Sequence, residues 1–132
     1  MAQSVITKII DGNTSVFHVF FEGDGSGDLI DEVLIDPATS FDQPMEAKPG
    51  LTLEKLHYDL VGFNAKLEFD YLTGDTPAWA LSGGTGTKMD FCKFSGIRDR
   101  SNKLDGTGKL KITTAGLGAG DFGSLVIQVR KN

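Results

Sequence analysis

Cysteine and proline are scarce in this sequence. Its 132 residues include one cysteine, Cys92, and four prolines. A single cysteine excludes an internal disulfide, so we expect the chain to fold in a reducing compartment. No apolar run approaches the ~20 residues needed to cross a bilayer, and the opening MAQSVITKII lacks the basic and apolar regions of a secretory signal. These absences predict a protein without a membrane partner.

Positive charge is also in short supply. The chain has 13 Lys and Arg against 18 Asp and Glu, which gives a formal net charge of −5. Non-specific binding to nucleic acid or to anionic lipid needs a basic surface that releases counterions or meets head groups. We therefore expect no nucleic-acid partner, although a local basic patch on an acidic body remains compatible with this composition.

Glycine, in contrast, is abundant, with 17 residues against an ordinary share of roughly 7%. Many glycines indicate many tight turns, and the segments between them alternate between apolar and polar residues. From Phe63 to Tyr71 every second residue is apolar. Such alternation is typical of antiparallel strands with one buried face.

The same pattern predicts roughly eight or nine strands, which is typical of a β-sandwich or barrel. The predicted strands include 5–10, 16–21, 29–35, 56–60, 63–71, 110–112 and 125–129, with a turn at 11–13. Gly62 separates two of them, as a tight hairpin or as one long strand with a bulge. Residues 41–51 are predicted as a crossover loop and 73–108 as weakly patterned loops. We predict one all-β domain over residues 1–132, an antiparallel sandwich for which a jelly roll is one candidate form.

An acidic, glycine-rich segment runs from Glu22 to Glu32. Calcium prefers roughly six to eight oxygen ligands on a flexible turn, so this segment is a candidate cation loop. It fails as an EF-hand beginning at Asp24, because Leu29 stands where glycine is required and Ile35 where glutamate is required. We therefore predict a solvated loop whose aspartates accept hydrogen bonds from nearby backbone, and no metal site.

Two glycine-rich stretches, 82–88 and 116–120, look superficially like nucleotide-binding loops. The first has Thr87 where the phosphate loop needs glycine before Lys88, and Met89 where it needs a hydroxyl residue. The second misses the dinucleotide-binding spacing and leads into a strand. Both stretches are predicted to be turns, and no cofactor is expected.

Nucleophilic catalysis would need a base beside Cys92. The aromatic run MDFCKF favours a buried, inert thiol. His57 alternates with charged residues and is predicted to face solvent, whereas His18 lies in an apolar strand and is predicted in the core or an interface. One cysteine and two histidines are too few for a zinc site. A glycosidase carboxylate pair needs a cleft, and short strands leave little room for one. We predict no catalytic residue and no enzyme activity.

Two groups of residues are candidate partner contacts. The strand 16–21 is apolar on both faces, so Phe17, Val19 and Phe21 are expected to meet a loop or a neighbouring chain. The glycine-rich half mixes aromatic residues and arginine, as interface hot spots do. Its candidates are Trp79, Phe91, Phe94, Arg98 and Arg100. Trp79 has two further interpretations, a sugar-stacking platform or a cover over the open end of the sandwich.

Roughly the last three-fifths of the chain resembles small virion structural proteins of tailed bacteriophages. The block KLHYDLVGF (Lys55–Phe63) leads to a strand that ends in acidic and aromatic residues (Lys66–Tyr71). A glycine-rich turn then precedes MDFCKFSG (Met89–Gly96), and a stretch with the TTAG and GD motifs runs from Gly106 to Lys131. The order and spacing of these blocks carry the resemblance.

The resemblance implies a non-enzymatic head protein, of the decoration or cement type, on the capsid exterior. Such a protein would fold in the host cytoplasm and end in the virion. Its partners would be the major capsid protein and itself, as a homotrimer. The alternative that the residues leave open is a carbohydrate-binding or receptor-binding β-sandwich module that uses Trp79 and nearby loops.

Overall fold

The computed structural model describes residues 3–41, 51–72, 74–98 and 106–131. These ranges contain ten strands, a short 3-10 helix and no α-helix, so the all-β prediction is confirmed. The strands are β1 (Ser4–Ile10), β2 (Thr14–Glu22), β3 (Glu32–Ile35), β4 (Leu51–Val61), β5 (Asn64–Tyr71), β6 (Thr76–Leu81), β7 (Gly84–Asp90), β8 (Ile97–Arg98), β9 (Gly106–Ala115) and β10 (Phe122–Lys131), and the helix is η1 (Cys92–Phe94). None of the described helical residues forms a segment of the length and apolarity that a bilayer span requires.

The strands form two antiparallel sheets that pack face to face. The larger, six-stranded sheet has the order β1-β2-β10-β4-β7, with β8 also paired to β4, and the smaller sheet has the order β3-β9-β5-β6. One cluster of buried side chains fills the space between them, with contributions such as Phe21 and Leu125 from one sheet and Leu67 and Ile112 from the other. This confirms the predicted sandwich.

Eight of the strands follow the path of a jelly roll. Strand β2 pairs with β10, β3 with β9, β4 with β7 and β5 with β6, which are the pairings of one long hairpin that has been rolled up. Rolling also places β10 beside β4 and β9 beside β5. The jelly-roll form of the prediction is therefore the observed one. Strand β1 lies outside the roll, as an additional strand beside β2.

Gly62 forms the corner at which the chain passes from one sheet to the other. Strands β4 and β5 follow each other in sequence but lie in different sheets, so the prediction of a hairpin or a bulged strand there is wrong. The φ of Gly62 is +90°, a conformation that residues with a side chain rarely adopt. A Cβ atom at this position would also collide with the carboxylate of Asp121.

We expect Gly62→Ala to lower the free energy of unfolding by about 2–4 kcal/mol, because backbone strain and a close contact add together. Gly120→Ala is the matched control, since Gly120 has a φ of +86° and open space around its Cβ position. That control should lose only about 1 kcal/mol. Urea denaturation measures both values. Equal losses would show that the contact with Asp121 contributes nothing.

Residues 73–108, predicted as loops, contain strands β6, β7 and β8 and helix η1. Pro77 and the glycines of β7 hide the alternation there. Strand β3 is shorter than predicted, because the N–H groups of Leu29 and Asp31 donate to the hydroxyls of Thr114 and Thr113 at 2.9 and 3.0 Å instead of to a strand. The predicted crossover loop falls largely on residues 42–50, which lie outside the described ranges.

Candidate interaction surface

The outer face of the larger sheet is unusually apolar. Residues opposite each other on antiparallel strands point to the same side of the sheet. Phe20 lies opposite Val5 and Ser124, and Phe122 lies opposite Val61. Following this register across β1, β2, β10 and β4 defines the outer apolar face as Val5, Ile10, Val16, Phe20, Val61, Phe122 and Val126.

Five of these seven side chains are exposed to solvent to a degree that is uncommon for their type. The exposed fraction is 39% for Phe20, 45% for Val61, 52% for Phe122 and 54% for Val5. The outer face of an antiparallel sheet is normally polar. Contiguous exposed apolar area marks a surface that contacts another molecule, so this face is the candidate interaction surface.

The face becomes charged toward strands β4 and β7. Lys55 lies opposite Asp90, and His57 lies opposite Lys88. These four residues line a depression of about 330 Å³ together with Val16 and Val126 of the apolar side. Apolar side chains interspersed with His18 and Ser124, beside a charged margin, are compatible with the core and the rim of a protein–protein interface.

The first group of predicted contact residues lies on the opposite side of β2. Phe17, Val19 and Phe21 point toward the smaller sheet, with exposed fractions of 2%, 0% and 0%. They form part of the core, so the prediction that they contact a partner is wrong. Phe20, between two of them in sequence, points outward and belongs to the outer apolar face.

Trp79 and Phe91 pack against each other. Their ring centroids lie 4.8 Å apart with an interplanar angle of 57°, and Phe91 is buried. Trp79 is half-buried and lies opposite the core residue Leu67, on the inner side of β6. Of the interpretations weighed for Trp79, this placement fits a cover over the edge of the core.

Of the remaining predicted contacts, Arg98 is the one whose side chain the structure describes. Arg98 is exposed on the two-residue strand β8, opposite Thr52. Phe94 ends helix η1, but its side chain lies outside what the structure describes, as does Arg100 altogether. None of the seven residues of the outer apolar face was among the predicted contacts. The available signal was that β10 carries Phe122 and Val126 among alternate positions that are otherwise polar.

The acidic loop behaves as predicted at Asp24, whereas Asp28 bonds to residues that are distant in the sequence. Hydrogen bonds from the Ser26 side chain and backbone hold the pKa of Asp24 below its ordinary value. Asp28 accepts hydrogen bonds from the backbone of Leu117 at 2.8 Å and the hydroxyl of Thr114 at 3.0 Å. The Leu117 bond, more than any other cause, holds the pKa of Asp28 below its ordinary value. The two aspartates thus fasten the loop by hydrogen bonds to backbone and hydroxyl groups.

A group of three carboxylates combines Asp31, near the end of the acidic segment, with Glu68 and Asp75 of the smaller sheet and its loops. The ammonium of Lys111 lies among them, 3.4 Å from Asp31 and 2.8 Å from Asp75. It also contacts Asp70 at 2.9 Å. The single lysine charge therefore already offsets part of the negative charge that would attract a cation.

We expect removal of calcium to leave the melting temperature unchanged, because Lys111 and local hydrogen bonds satisfy the carboxylates described above. The measurement is calorimetry of the chain with a chelator and with excess calcium. A magnesium-loaded sample controls for ionic strength. A large drop on chelation that calcium reverses would contradict this prediction.

Cys92 is exposed, so the prediction of a buried thiol is wrong. Partial desolvation and the neighbouring Asp90 raise the pKa of this thiol, which keeps it protonated and weakly nucleophilic at neutral pH. His57 is exposed, as predicted, and His18 is half-buried on the outer face beside Val126, not in the core. The charge environment of Cys92 is therefore unsuited to a reactive thiolate.

Comparison with known proteins gives no match for this chain, whether with protein families, with curated proteins or with solved structures. Functional reasoning therefore depends on the surface and fold described above.

Proposed function

We propose that this protein is a non-enzymatic structural protein of a bacteriophage particle, which binds the outside of the capsid and stabilises it. The observation that carries the proposal is the outer apolar face with its charged margin. Its partners would be the major capsid protein and further copies of the chain. The protein would fold in the host cytoplasm and reach the virion by assembly.

The physical work of such a protein is to bury surface across the joints between capsid subunits. A ligand that binds the assembled shell but not the dissociated subunits stabilises the shell by mass action. Exposed Phe20 and Phe122 supply apolar area for this contact, and Lys88 and His57 at the margin supply polar specificity. This role needs no reactive group.

The jelly roll itself is compatible with both functions that the sequence left open, because virion proteins and lectins both use it. The distribution of aromatic residues favours protein contact. A sugar platform needs an accessible aromatic ring beside hydrogen-bonding groups. Trp79 instead packs on Phe91, while Phe20, Phe122 and the valines of the outer face offer aliphatic and aromatic area for a protein partner.

The test is co-sedimentation of the chain with purified phage shells that lack this protein. We expect the wild type to bind and to raise the temperature at which the shells fail. Phe122→Lys should weaken binding at least about tenfold, because a charge enters an apolar contact. Leu72→Lys is the matched control, since Leu72 is 82% exposed in a turn away from the outer apolar face.

Absence of wild-type binding, or equal binding by both variants, would contradict the proposal. A glycan array run on the same samples addresses the alternative. Specific glycan binding that is lost in a Trp79→Ala variant that remains folded would replace the capsid role by a carbohydrate-binding one.

A further inference from the structure

The edges of the two sheets differ in how they are protected against pairing with another strand. Strand β3 is four residues long and has an irregular register, and β6 contains Pro77 and a register shift. Strand β7 carries Gly86, with a φ of +67°, together with Lys88 and Asp90. Short length, proline, irregularity and charge are the usual devices that prevent edge-to-edge association.

Strand β1 lacks these devices over its first residues. The segment Ser4–Thr7 has no proline, glycine or charge, and the register shift of β1 comes later, between Lys8 and Ile10. The Lys8 ammonium is engaged by Asp11 at 3.0 Å. Val5 and Ile6 are 54% and 38% exposed. A regular, uncharged and apolar edge of this kind favours strand addition.

The backbone of β1 shows which groups are directed outward. The N–H of Glu22 donates to the carbonyl of Gln3 at 2.9 Å, so these two residues form a hydrogen-bonded pair. Hydrogen-bonded pairs alternate with non-hydrogen-bonded pairs along an antiparallel ladder. Val5 and Thr7 therefore direct their N–H and C=O groups toward β2, and Ser4 and Ile6 direct theirs away from it. In the described part of the chain, β2 is the one strand paired with β1.

We propose that β1 pairs with β1 of a second copy of this chain, antiparallel about a two-fold axis at Ile6. This register places Ile6 opposite Ile6 of the second copy and Val5 opposite Thr7. It pairs the outward backbone groups of Ile6 with those of Ile6, and those of Ser4 with those of Lys8 at the end of the regular segment. No two like charges lie opposite each other. The two larger sheets would then form one continuous sheet.

The strand that pairs with the edge of β1 comes from a second copy of the chain, because this register is self-complementary. Ile6 lies with Val33 in a shallow groove of about 420 Å³ between β1 and β3. A two-fold axis at Ile6 places the Ile6 side chain of each copy against the Ile6 side chain of the other, so each covers the other from solvent. The proposal does not rest on the proposed function, and it predicts a dimer, in contrast to the trimer that the sequence resemblance implies.

The test is sedimentation velocity with light scattering on the full chain, from micromolar to millimolar concentration. We expect a species of twice the 14.2 kDa chain mass. Ile6→Pro removes an outward N–H and leaves the hydrogen bonds between β1 and β2 intact, so it should abolish the dimer. Ile6→Lys should do the same, because it places two ammonium groups at the axis. Leu72→Lys makes the same charge change at a residue outside β1 and should leave the dimer intact.

Amide hydrogen exchange gives a second readout. Protection of the Ile6 amide should rise with protein concentration, whereas the Thr7 amide should be protected at every concentration because it bonds to β2. A monomer throughout, a trimer, or a dimer that persists in Ile6→Lys would overturn the proposal. If Ile6→Pro fails to fold, Ile6→Lys and the exchange data decide the outcome. Shell binding is measured separately, so failure of one proposal leaves the other to its own test.

Discussion

Phe21→Ala should lower the free energy of unfolding by about 3–5 kcal/mol, the usual cost of deleting a buried aromatic ring. Phe21 is 0% exposed, and its ring contacts Phe63 edge to face with centroids 5.7 Å apart. The substitution removes apolar burial and leaves a cavity between the two sheets, at a point where the Gly62 corner limits relaxation. Urea denaturation monitored by circular dichroism measures the loss.

Phe20→Ala is the matched control for this prediction, since it is the same change one residue earlier. Phe20 is 39% exposed on the outer face, so its removal should cost no more than about 1 kcal/mol. Under the proposed function the two variants should rank in the opposite order for shell binding. Phe20→Ala should weaken binding more than Phe21→Ala does. Similar stability losses at both positions would mean that the outer face is covered within the monomer, and would count against its role as a contact surface.

Lys111→Met should lower the free energy of unfolding by roughly 2–4 kcal/mol, because it leaves several carboxylates close together without a counter-charge. The Lys111 side chain is 10% exposed, and Asp70 and Asp75 are 19% and 18% exposed. Methionine keeps most of the apolar stem, so the loss measures the ammonium and its hydrogen bonds. Thermal and urea denaturation give the value.

Lys66→Met is the matched control on the neighbouring strand β5. Lys66 is 60% exposed and lies 3.7 Å from Glu68, so its removal should change stability by no more than about 0.5 kcal/mol. A second substitution, Asp75→Asn, should restore part of the stability of Lys111→Met because it removes one of the uncompensated charges. A Lys111→Met variant as stable as the wild type would show that the carboxylates are solvated individually and that the network contributes nothing.

The same network predicts how stability depends on pH. Burial alone would raise the pKa of Asp70, but hydrogen bonds from Thr107 and Lys111 outweigh it and hold that pKa below its ordinary value of 3.8. Burial alone would lower the pKa of Lys111, but Asp75 and Asp70 hold it above its ordinary value of 10.5. The Asp70 contribution is therefore present above pH 3.8 and is lost as the pH falls through the lower, folded-state value.

The Lys111 contribution has the opposite sign. It is complete below pH 10.5 and is lost as the pH rises through the higher, folded-state value. The melting temperature measured against pH should thus fall at both extremes in the wild type. Lys111→Met should flatten the alkaline limb, and an unchanged alkaline limb in that variant would contradict the assignment.

Local patterns in the sequence were sufficient for the class of fold and for many of its strands. Alternation from Phe63 to Tyr71 predicts a strand with one buried face, and β5 has that face in the core. The turn at 11–13 joins β1 to β2 as predicted. Asp24 of the acidic loop accepts hydrogen bonds from Ser26, two residues away, as predicted for a tight turn. These features are predictable because each depends on residues close together in sequence.

Tertiary structure decided the features that depend on distant residues. Strand β2 is apolar on both faces. Sequence alternation assigns its residues to two faces but does not determine which face is buried. The smaller sheet covers Phe17, Val19 and Phe21, and so leaves Phe20 outside.

The corner at Gly62, the Lys111 network and the outer apolar face arise in the same way. Lys111 on β9 meets Asp70, Asp75 and Asp31, which come from β5 and two loops. Phe122 on β10 reaches Val61 only because the rolled hairpin places the last strand between β2 and β4. Sequence periodicity sets the two faces of each strand, but the order in which strands pair determines which residues share a surface and which face meets water.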